Sequence, residues 1–479
     1  MLQRQGIVAT VESFLKGPLN SDGKILVGVS GGVDSSVLLH ILLTLCNSST
    51  SPDGYKGRFA VAHMNFSLRG TESDEDEAFV KGLCKTYGFA LFTKRVDTLT
   101  FAKEKGLSVE MAARELRYEW FKELAEKEAF AYLLTAHNAN DNAETLILNL
   151  VRGTGRHGLN GIRPMRANHS LVVLRPLLSV ERSEIESYAK EHNLSFRYDS
   201  TNSDNVYARN LVRNKVLPLL KEINPSVVAT LNDDIERFRS ENEEIDSIVA
   251  RELNYDESDC NNGADPLGLR KRYLKAVVSV DFLKVKRNVK FWVAEILHRH
   301  NVSFAQADVN DIADAVIACE GTTKFFILKD NTVTVERGEL RIYDNSFLNS
   351  SSEIVEISDE GVFEFPPYRL SIKRLKEAPM KIEREKGVLL LDESKVKFPL
   401  HLRFAKEGDR FSPFGLKGSK SVADFLNSKK IDTLFKSVVP VLEDAEGKLV
   451  CLPSIEINDY CRLSETSRSA LSVSCSINS

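Results

Sequence analysis

The sequence predicts an α/β protein with a five-stranded parallel sheet, followed by a mainly helical region and a β-rich C-terminal one. Three observations carry this prediction. Between Lys24 and Leu178, five short β-rich runs (ILVGVS, RFAVAHMN, FALFTKRV, AYLLTAH and LVVLRPLL) alternate with helical patterns, the signature of parallel strands joined by helices. From Asn224 to Cys319 the apolar spacing is helical, opening with Pro225 and including FWVAEILHRH, before a strand pair, TKFFILKD and TVTVER. From Glu353 onward, short strands with turn residues dominate. These breaks place domains at residues 1–218, 219–346 and 353–479, with the polar run Asn345 to Ser352 as a linker.

Taken in order, the amphipathic start MLQRQGIVATVESFLKG lacks the continuous apolar core and cleavage site of a secretory signal. No uncharged apolar run of ~18 residues occurs, so the expected location is the cytoplasm, with no membrane partner. The helix after the first strand, SSVLLHILLTL, is apolar nearly all round and is expected to be buried against the sheet. A formal net charge of -4 argues against coating nucleic acid through bulk charge, so any RNA site must be a local patch. The seven cysteines, Cys46, Cys84, Cys260, Cys319, Cys451, Cys461 and Cys475, form no CxxC pair and are expected to be reduced structural thiols.

The first strand runs into Ser30, Gly31, Gly32, Val33, Asp34 and Ser35 and then directly into a helix. Two glycines let backbone approach a phosphate, and the N-H groups and positive end of the helix face it, helped by the hydroxyls of Ser30, Ser35 and Ser36. A carboxylate at Asp34 would repel phosphate unless a magnesium ion bridged them, so Asp34 points to a metal-nucleotide complex. The rival GLKGSKS at Gly415 to Ser421 lacks both the spacing of a phosphate loop and an obvious preceding strand. Further on, LLTAHNANDNAETLILNL puts His137, Asp141, Glu144 and Leu148 on one side of a helix, with Ala143, Leu146, Ile147 and Leu150 opposite, packed on the sheet. Ionisable groups at the carboxyl end of a parallel strand sit where open α/β sheets bind ligands.

With SGGVDS, the chain resembles the PP-loop ATP pyrophosphatases, of the adenine nucleotide alpha hydrolase type, which cleave ATP to AMP and pyrophosphate. The segment from His63 to Gly70, HMNFSLRG, is similar to the HxNHxLRG of tRNA(Ile)-lysidine synthetases, with Phe66 in place of a second His. The run from Glu110 to Tyr118 matches that family's E-x-x-AR-x-x-RY. His137, Asp141 and Glu144 match its HHxDDxxET, with Asn138 and Asn140 departing from the usual His and Asp. LRPLL from Leu174, DSTN from Asp199, and Arg209, Asn210 and Arg213 follow in the family's order.

The resemblance implies ATP and Mg2+ as cofactors, free L-lysine and an isoleucine tRNA with a wobble cytidine as partners, and lysidine as product. It implies Asp34, His137, Asp141, Glu144 and Arg209 as catalytic residues, residues 30–35 as the ATP loop, and Asp34 as the metal ligand. Arg69, Arg114, Lys417 and Lys420 are the implied tRNA contacts. The last two lie where His401 to Pro440 carries eight Lys or Arg against four Asp or Glu, interleaved with Phe411, Pro413 and Phe414. A tRNA thiolase of the same superfamily is the runner-up, disfavoured by the absence of CxxC, and a catalytically silent tRNA-binding protein would not need an intact SGGVDS. Assembly is left open, a homodimer included.

Overall fold

The computed structural model describes residues 6–47, 56–168, 171–198, 208–253, 265–318, 321–349, 353–379, 387–416 and 418–478. The chain divides into two compact units, Met1–Ile248 and Val249–Ser479.

The first unit is built on β1 (Lys24–Gly28), β2 (Phe59–Asn65), β3 (Ala90–Arg95), β4 (Phe130–Leu134), β5 (Met165–Asn168) and β6 (Leu171–Leu174), in the order β3-β2-β1-β4-β6-β5. The five expected strands are present and mutually parallel. A sixth, β5, adds an antiparallel edge to β6. Its four residues, MRAN, carry too little apolar character to announce a strand.

Strand alternation divides the core. Phe59 and Val61 of β2 face one side, where they join α2 (Val33–Cys46), α3 (Thr71–Tyr87) and α1 (Ile7–Asn20) in one apolar cluster. Ala60, Ala62 and Met64 face the other, against Trp120, Phe121 and Leu124 of α5 (Val109–Glu128), which follows the short α4 (Thr98–Lys105). Helix α2 is buried over most of its length, as its all-apolar pattern predicts. Because the chain leaves β1 toward β2 on one side and β4 is inserted on the other, the carboxyl ends of β1 and β4 flank a topological switch point, the usual ligand crevice of such sheets.

Helix α6 (Ala139–Arg152), which follows β4, departs from its expected packing. Ala139, Ala143, Ile147 and Leu148 pack against Val212, Leu217, Val227 and Val228 rather than on the sheet, and Leu150 is 55% exposed. The long helix Val227–Leu253 reinforces this contact through Asn232, whose Oδ1 accepts from Asn142 Nδ2 at 2.7 Å.

In the second unit, the helices Val289–Arg299 and Gln306–Ala318 cover a four-stranded antiparallel sheet containing Leu274–Ser279, Lys324–Ile327, Asn331–Glu336 and Glu339–Asp344. Two further antiparallel sheets, of five and four strands, share one core that includes Tyr368, Phe435 and Leu471. The five described cysteines, Cys46, Cys84, Cys451, Cys461 and Cys475, are free thiols; Cys260 and Cys319 lie outside the described residues. No described helix is long and apolar enough to cross a membrane.

A buried polar knot closes the second unit. Asp432, 1% exposed, accepts from Arg270 at 3.0 Å, from Arg341 at 2.7 Å and from the Tyr343 hydroxyl at 3.2 Å, while Arg341 also reaches Glu336 at 2.8 Å. Removing the shared anion takes away the charge that two buried guanidiniums have in common, so Asp432→Ala is expected to destabilise this unit by about 3–5 kcal/mol. The chain has two tryptophans, Trp120 in the first unit and Trp292 in the second. Urea unfolding read by Trp292 fluorescence in a Trp120→Phe background should therefore show the midpoint falling sharply; an unchanged midpoint would mean the knot contributes little.

Candidate active site

The crevice at the switch point opens into a cleft of about 1360 Å³ within the first unit. Its floor is the turn from β1 into α2. Gly31 sits at φ 93, a left-handed conformation that side chains resist, and its carbonyl accepts from Arg197 N at 2.9 Å and from Ser36 Oγ at 3.3 Å. The hydroxyls of Ser30 and Ser35 lie 3.2 Å apart, and Gly32, the N-cap of α2, makes no side-chain cap. The first-turn N-H groups of a largely buried helix are thus left for an anion, with two serines at its rim.

Asp34, in that first turn, lines the cleft. Its Oδ1 is buried with no hydrogen-bond partner among the described residues. Burial pushes its carboxyl up to about 6, against the opposing pull of the Arg182 guanidinium; Asp141 nearby adds to the rise. An orphaned carboxylate oxygen beside a phosphate cradle fits an oxygen-loving cation, so the donor set suits Mg2+.

The second wall comes from the end of β4 and the start of α6. Asn138 is the N-cap of α6, its Oδ1 accepting from Asn140 N at 3.0 Å and Asp141 N at 3.1 Å, while Asp141 Oδ2 accepts from Asn138 N at 3.1 Å in a reciprocal capping box. The two family departures therefore have local work: Asn138 starts the helix, and Asn140 Oδ1 accepts from Arg182 N at 3.0 Å, tying α6 to α7 (Arg182–Glu191). His137, just ahead of the cap, shares a hydrogen bond between Nδ1 and Thr135 Oγ1 at 3.0 Å. Burial pushes its imidazole down to about 4 despite Asp141; Arg175, Arg209 and Arg114 push the same way as burial. His137 is consequently uncharged at physiological pH, with a ring nitrogen able to accept a hydrogen bond.

Behind it stands a four-charge clamp. Glu144, fully buried, accepts from Arg209 Nε at 2.9 Å and from Arg213 Nε at 2.6 Å. Asp141 Oδ1 accepts from both guanidiniums, at 3.1 and 2.9 Å. Both oxygens of Glu144 are thus engaged, and its geometry is that of an anchor for Arg209 and Arg213 rather than a free base. Arg213 belongs to this group as fully as Arg209; its signal was the four-residue spacing, which places both on one helical face.

The remaining predicted residues are scattered more widely. Arg69 enters the cleft but donates to Asp76 Oδ2 at 2.6 Å, while Arg197, which the sequence reading did not single out, holds the other oxygen at 3.1 Å. Arg114 lines the cleft with its guanidinium 5.1 Å from the Tyr118 ring centroid, and Arg117 lies 5.0 Å from the Phe66 ring centroid. Phe66 therefore supports a cation where the family pattern has an imidazole. Lys420, in the second unit, donates to Ser428 Oγ at 3.2 Å. Phe411, expected beside RNA, is 3% exposed and packs edge-on against Phe425, whereas Phe414 is 48% exposed. Lys417 and the tetrad Asp199 to Asn202 lie outside the described residues.

Residues 5–220 match the PP-loop domain family. The tRNA(Ile)-lysidine synthase of Bacteroides thetaiotaomicron is 35% identical over 414 residues, spanning 85% of this chain and 85% of that protein. The chain belongs to the tRNA(Ile)-lysidine synthase family. Further members are similar over comparable spans, among them that of Bacillus subtilis, 29% identical over 90% of this chain and 89% of its own. Among solved structures, the U34-tRNA thiolase NcsA from Methanococcus maripaludis aligns at TM-score 0.41 and 19% identity, over 48% of this chain and 76% of that one. A TILS C-terminal domain aligns at TM-score 0.24 and 19% identity, over 26% of this chain and all of that one. Likenesses so distant bear on neither activity nor substrate. Within the lysidine synthase family, this member's cleft thus combines an intact phosphate loop with Asn138 and Asn140 as capping groups.

Asp34 supplies a sharp test. Its folded-state affinity for a proton exceeds the unfolded one, so its contribution to stability is most favourable below about pH 4 and is lost as the pH rises through about 6. Without divalent cation, Asp34→Asn should therefore raise the melting temperature at pH 8, by up to about 3 kcal/mol in stability, and the gain should shrink toward zero near pH 4. A gain independent of pH would show that Asp34 is not held as a carboxyl destabilised by burial.

Proposed function

We propose that this chain ligates lysine to carbon 2 of the wobble cytidine of isoleucine tRNA through an adenylated tRNA. The observation that carries this reading is the meeting, in one cleft, of an uncapped phosphate-loop helix with His137 and Asp141 from the end of β4 and the start of α6.

In the first step the cytosine ring oxygen attacks the α-phosphorus of ATP, a P-O bond forms, and the bond to pyrophosphate breaks. The loop's N-H groups, with Ser30 and Ser35, hold the departing phosphates as charge develops on them. Asp34, together with nucleotide oxygens, would hold Mg2+, which neutralises charge on the leaving pyrophosphate. In the second step the side-chain amine of lysine attacks the activated ring carbon, a C-N bond forms, and the C-O bond to AMP breaks. At its reference pKa of ~10.4 that amine is mostly protonated, so it gives one proton to water before attack and a second to water as the C-N bond forms. His137 is too weak a base to store it. The neutral ring serves instead to accept a hydrogen bond from the amine and aim its lone pair at the carbon, while Asp141 supplies the neighbouring negative charge. Arg209 and Arg213, with their charge partly offset by Glu144, stand ready for AMP phosphate oxygens. Lys420, and Lys417 beside it in sequence, are assigned to tRNA backbone in the second unit.

A thiolase reading is less well supported, because none of the described residues lining the cleft is a cysteine. The order of the two steps is testable by pyrophosphate exchange into ATP. Enzymes that activate an amino acid on its carboxylate exchange with the amino acid alone. Here exchange is expected with tRNA and no lysine, and none with lysine and no tRNA. His137→Ala should slow lysine transfer by about 100-fold or more and reduce exchange less. Robust exchange with lysine alone would remove the lysidine reading.

A further inference from the structure

The phosphate loop is held in shape from outside its own stretch of sequence. Gly31, in its left-handed conformation, has no side chain to restrain it, and its carbonyl accepts from Arg197 N at 2.9 Å. The carbonyl and the N-H of one trans peptide unit point opposite ways, so fixing the Gly31 carbonyl aims the Gly32 N-H. Among the described residues that N-H meets only Ser30 Oγ, at 3.4 Å, which leaves it open to a phosphate. Arg197, beyond the end of α7, is itself anchored by its side chain: Nε donates to Asp76 Oδ1 at 3.1 Å and Nη2 to Glu75 Oε2 at 2.6 Å. Asp76, on α3 and 8% exposed, gives its other oxygen to Arg69 at 2.6 Å. Arg69 lies in the turn between β2 and α3, where its own N-H donates to Ser73 Oγ at 3.2 Å and Asn65 Oδ1 accepts from Ser67 N at 3.0 Å. Arg69, Asp76, Arg197 and the loop all line one cleft, yet neither chemical step uses Asp76.

We propose that Asp76 and Arg197 are positioning residues for the phosphate loop, and that Asp76, shared between Arg197 and Arg69, ties the loop's hold on ATP to RNA bound at Arg69. The inference rests on the reading that tRNA is the substrate, with Arg69 among its contacts. A carboxylate divided between two guanidiniums holds each less strongly than it would hold one alone. An RNA phosphate that draws Arg69 away leaves the charge of Asp76 wholly to Arg197. The Arg197 backbone is then held more firmly, the Gly31 carbonyl with it, and the Gly32 N-H is kept aimed at the ATP phosphates. Glu75 does not replace Asp76 in this, because its side chain is 61% exposed and its ion pair with Arg197 is screened by water. The two arrangements, Asp76 shared and Asp76 held by Arg197 alone, differ in their contacts to both ligands, which is what coupling between two sites requires. Linkage makes the effect reciprocal, so ATP at the loop tightens RNA at Arg69 by the same factor.

The test uses the full chain, isoleucine tRNA with its wobble cytidine, and α,β-methylene ATP with Mg2+, which cannot be cleaved at the bond that adenylation breaks. The Kd of each ligand is measured by calorimetry, alone and with the other saturating. In wild type each is expected to tighten the other by the same factor, about tenfold. Asp76→Asn keeps the shape of the side chain and removes its charge, and the factor should fall to about one. Arg197→Ala should raise the KM for ATP by about tenfold with a smaller change in kcat, whereas simple loss of folded enzyme would lower kcat and leave KM where it was. Arg197→Lys, which keeps a cation at Asp76, should fall between wild type and Arg197→Ala in both KM and coupling. One reading needs no variant: tRNA alone should slow amide hydrogen exchange in the wild-type loop peptide. An unchanged coupling factor in Asp76→Asn, a wild-type KM in Arg197→Ala, or loop exchange indifferent to tRNA overturns the inference. If wild type joins lysine to tRNA and shows no coupling, the inference falls and the function stands. If it shows the coupling but leaves the cytidine unmodified, the function falls and the coupling stands. If it neither binds nor modifies the tRNA, both fall.

Discussion

The catalytic unit depends on the clamp in which Arg209 and Arg213 grip Asp141 and the fully buried Glu144. A buried carboxylate is costly unless its oxygens are satisfied, and here both oxygens take guanidinium N-H bonds. The clamp fixes the chain at residues 208–216 against α6, completing the apolar contact of Val212 and Leu217 with Ala139 and Ala143. It also sets the charge seen by the cleft: two arginines are held at its edge with their charge partly offset, and Asp141 is kept in place beside His137. The groups left available for chemistry are then those the clamp does not consume, Asp34 and His137.

These two are shaped by the same cause with opposite results. Burial raises the Asp34 carboxyl to about 6 and lowers the His137 imidazole to about 4, so at neutral pH the imidazole is uncharged while the carboxylate is ionised at an energetic cost. A buried carboxylate with one oxygen unsatisfied, next to a phosphate cradle, is a poor resting arrangement and a good receiver for a cation that arrives with nucleotide. A neutral imidazole is what an amine nucleophile needs as a hydrogen-bond acceptor. The site is thus preorganised for charged substrates that bring their own counter-ions.

Much of this was legible in the sequence, since a phosphate loop needs glycines, a helix start and hydroxyls in fixed order, and those are contiguous. The five parallel strands were equally plain, because each is a short run of β-branched or aromatic residues between turn signals. What was not legible depends on contacts made at a distance. The edge strand at Met165–Asn168 has no apolar signal of its own and exists because β6 offers it hydrogen bonds. Periodicity put Glu144 on an open polar face, yet it is buried, because the partners that make burial tolerable, Arg209 and Arg213, come from some 65 residues later. Phe411 read as an exposed aromatic among lysines, but its strand pairs with Lys420–Ser421 and turns the ring inward onto Phe425. Asn138 and Asn140 read as losses from a family pattern and prove to be capping groups, a role that only the helix start they serve reveals.

The central claim is that this cleft joins lysine to a tRNA base after adenylating it, and the mass of the modified nucleoside tests it most directly. Isoleucine tRNA carrying a wobble cytidine, incubated with the enzyme, ATP, magnesium and lysine and then digested to nucleosides, should contain a cytidine heavier by one lysine less one water. AMP and pyrophosphate should be released in equal amounts with it. A cytidine of unchanged mass, or one that has exchanged oxygen for sulfur, would contradict the account.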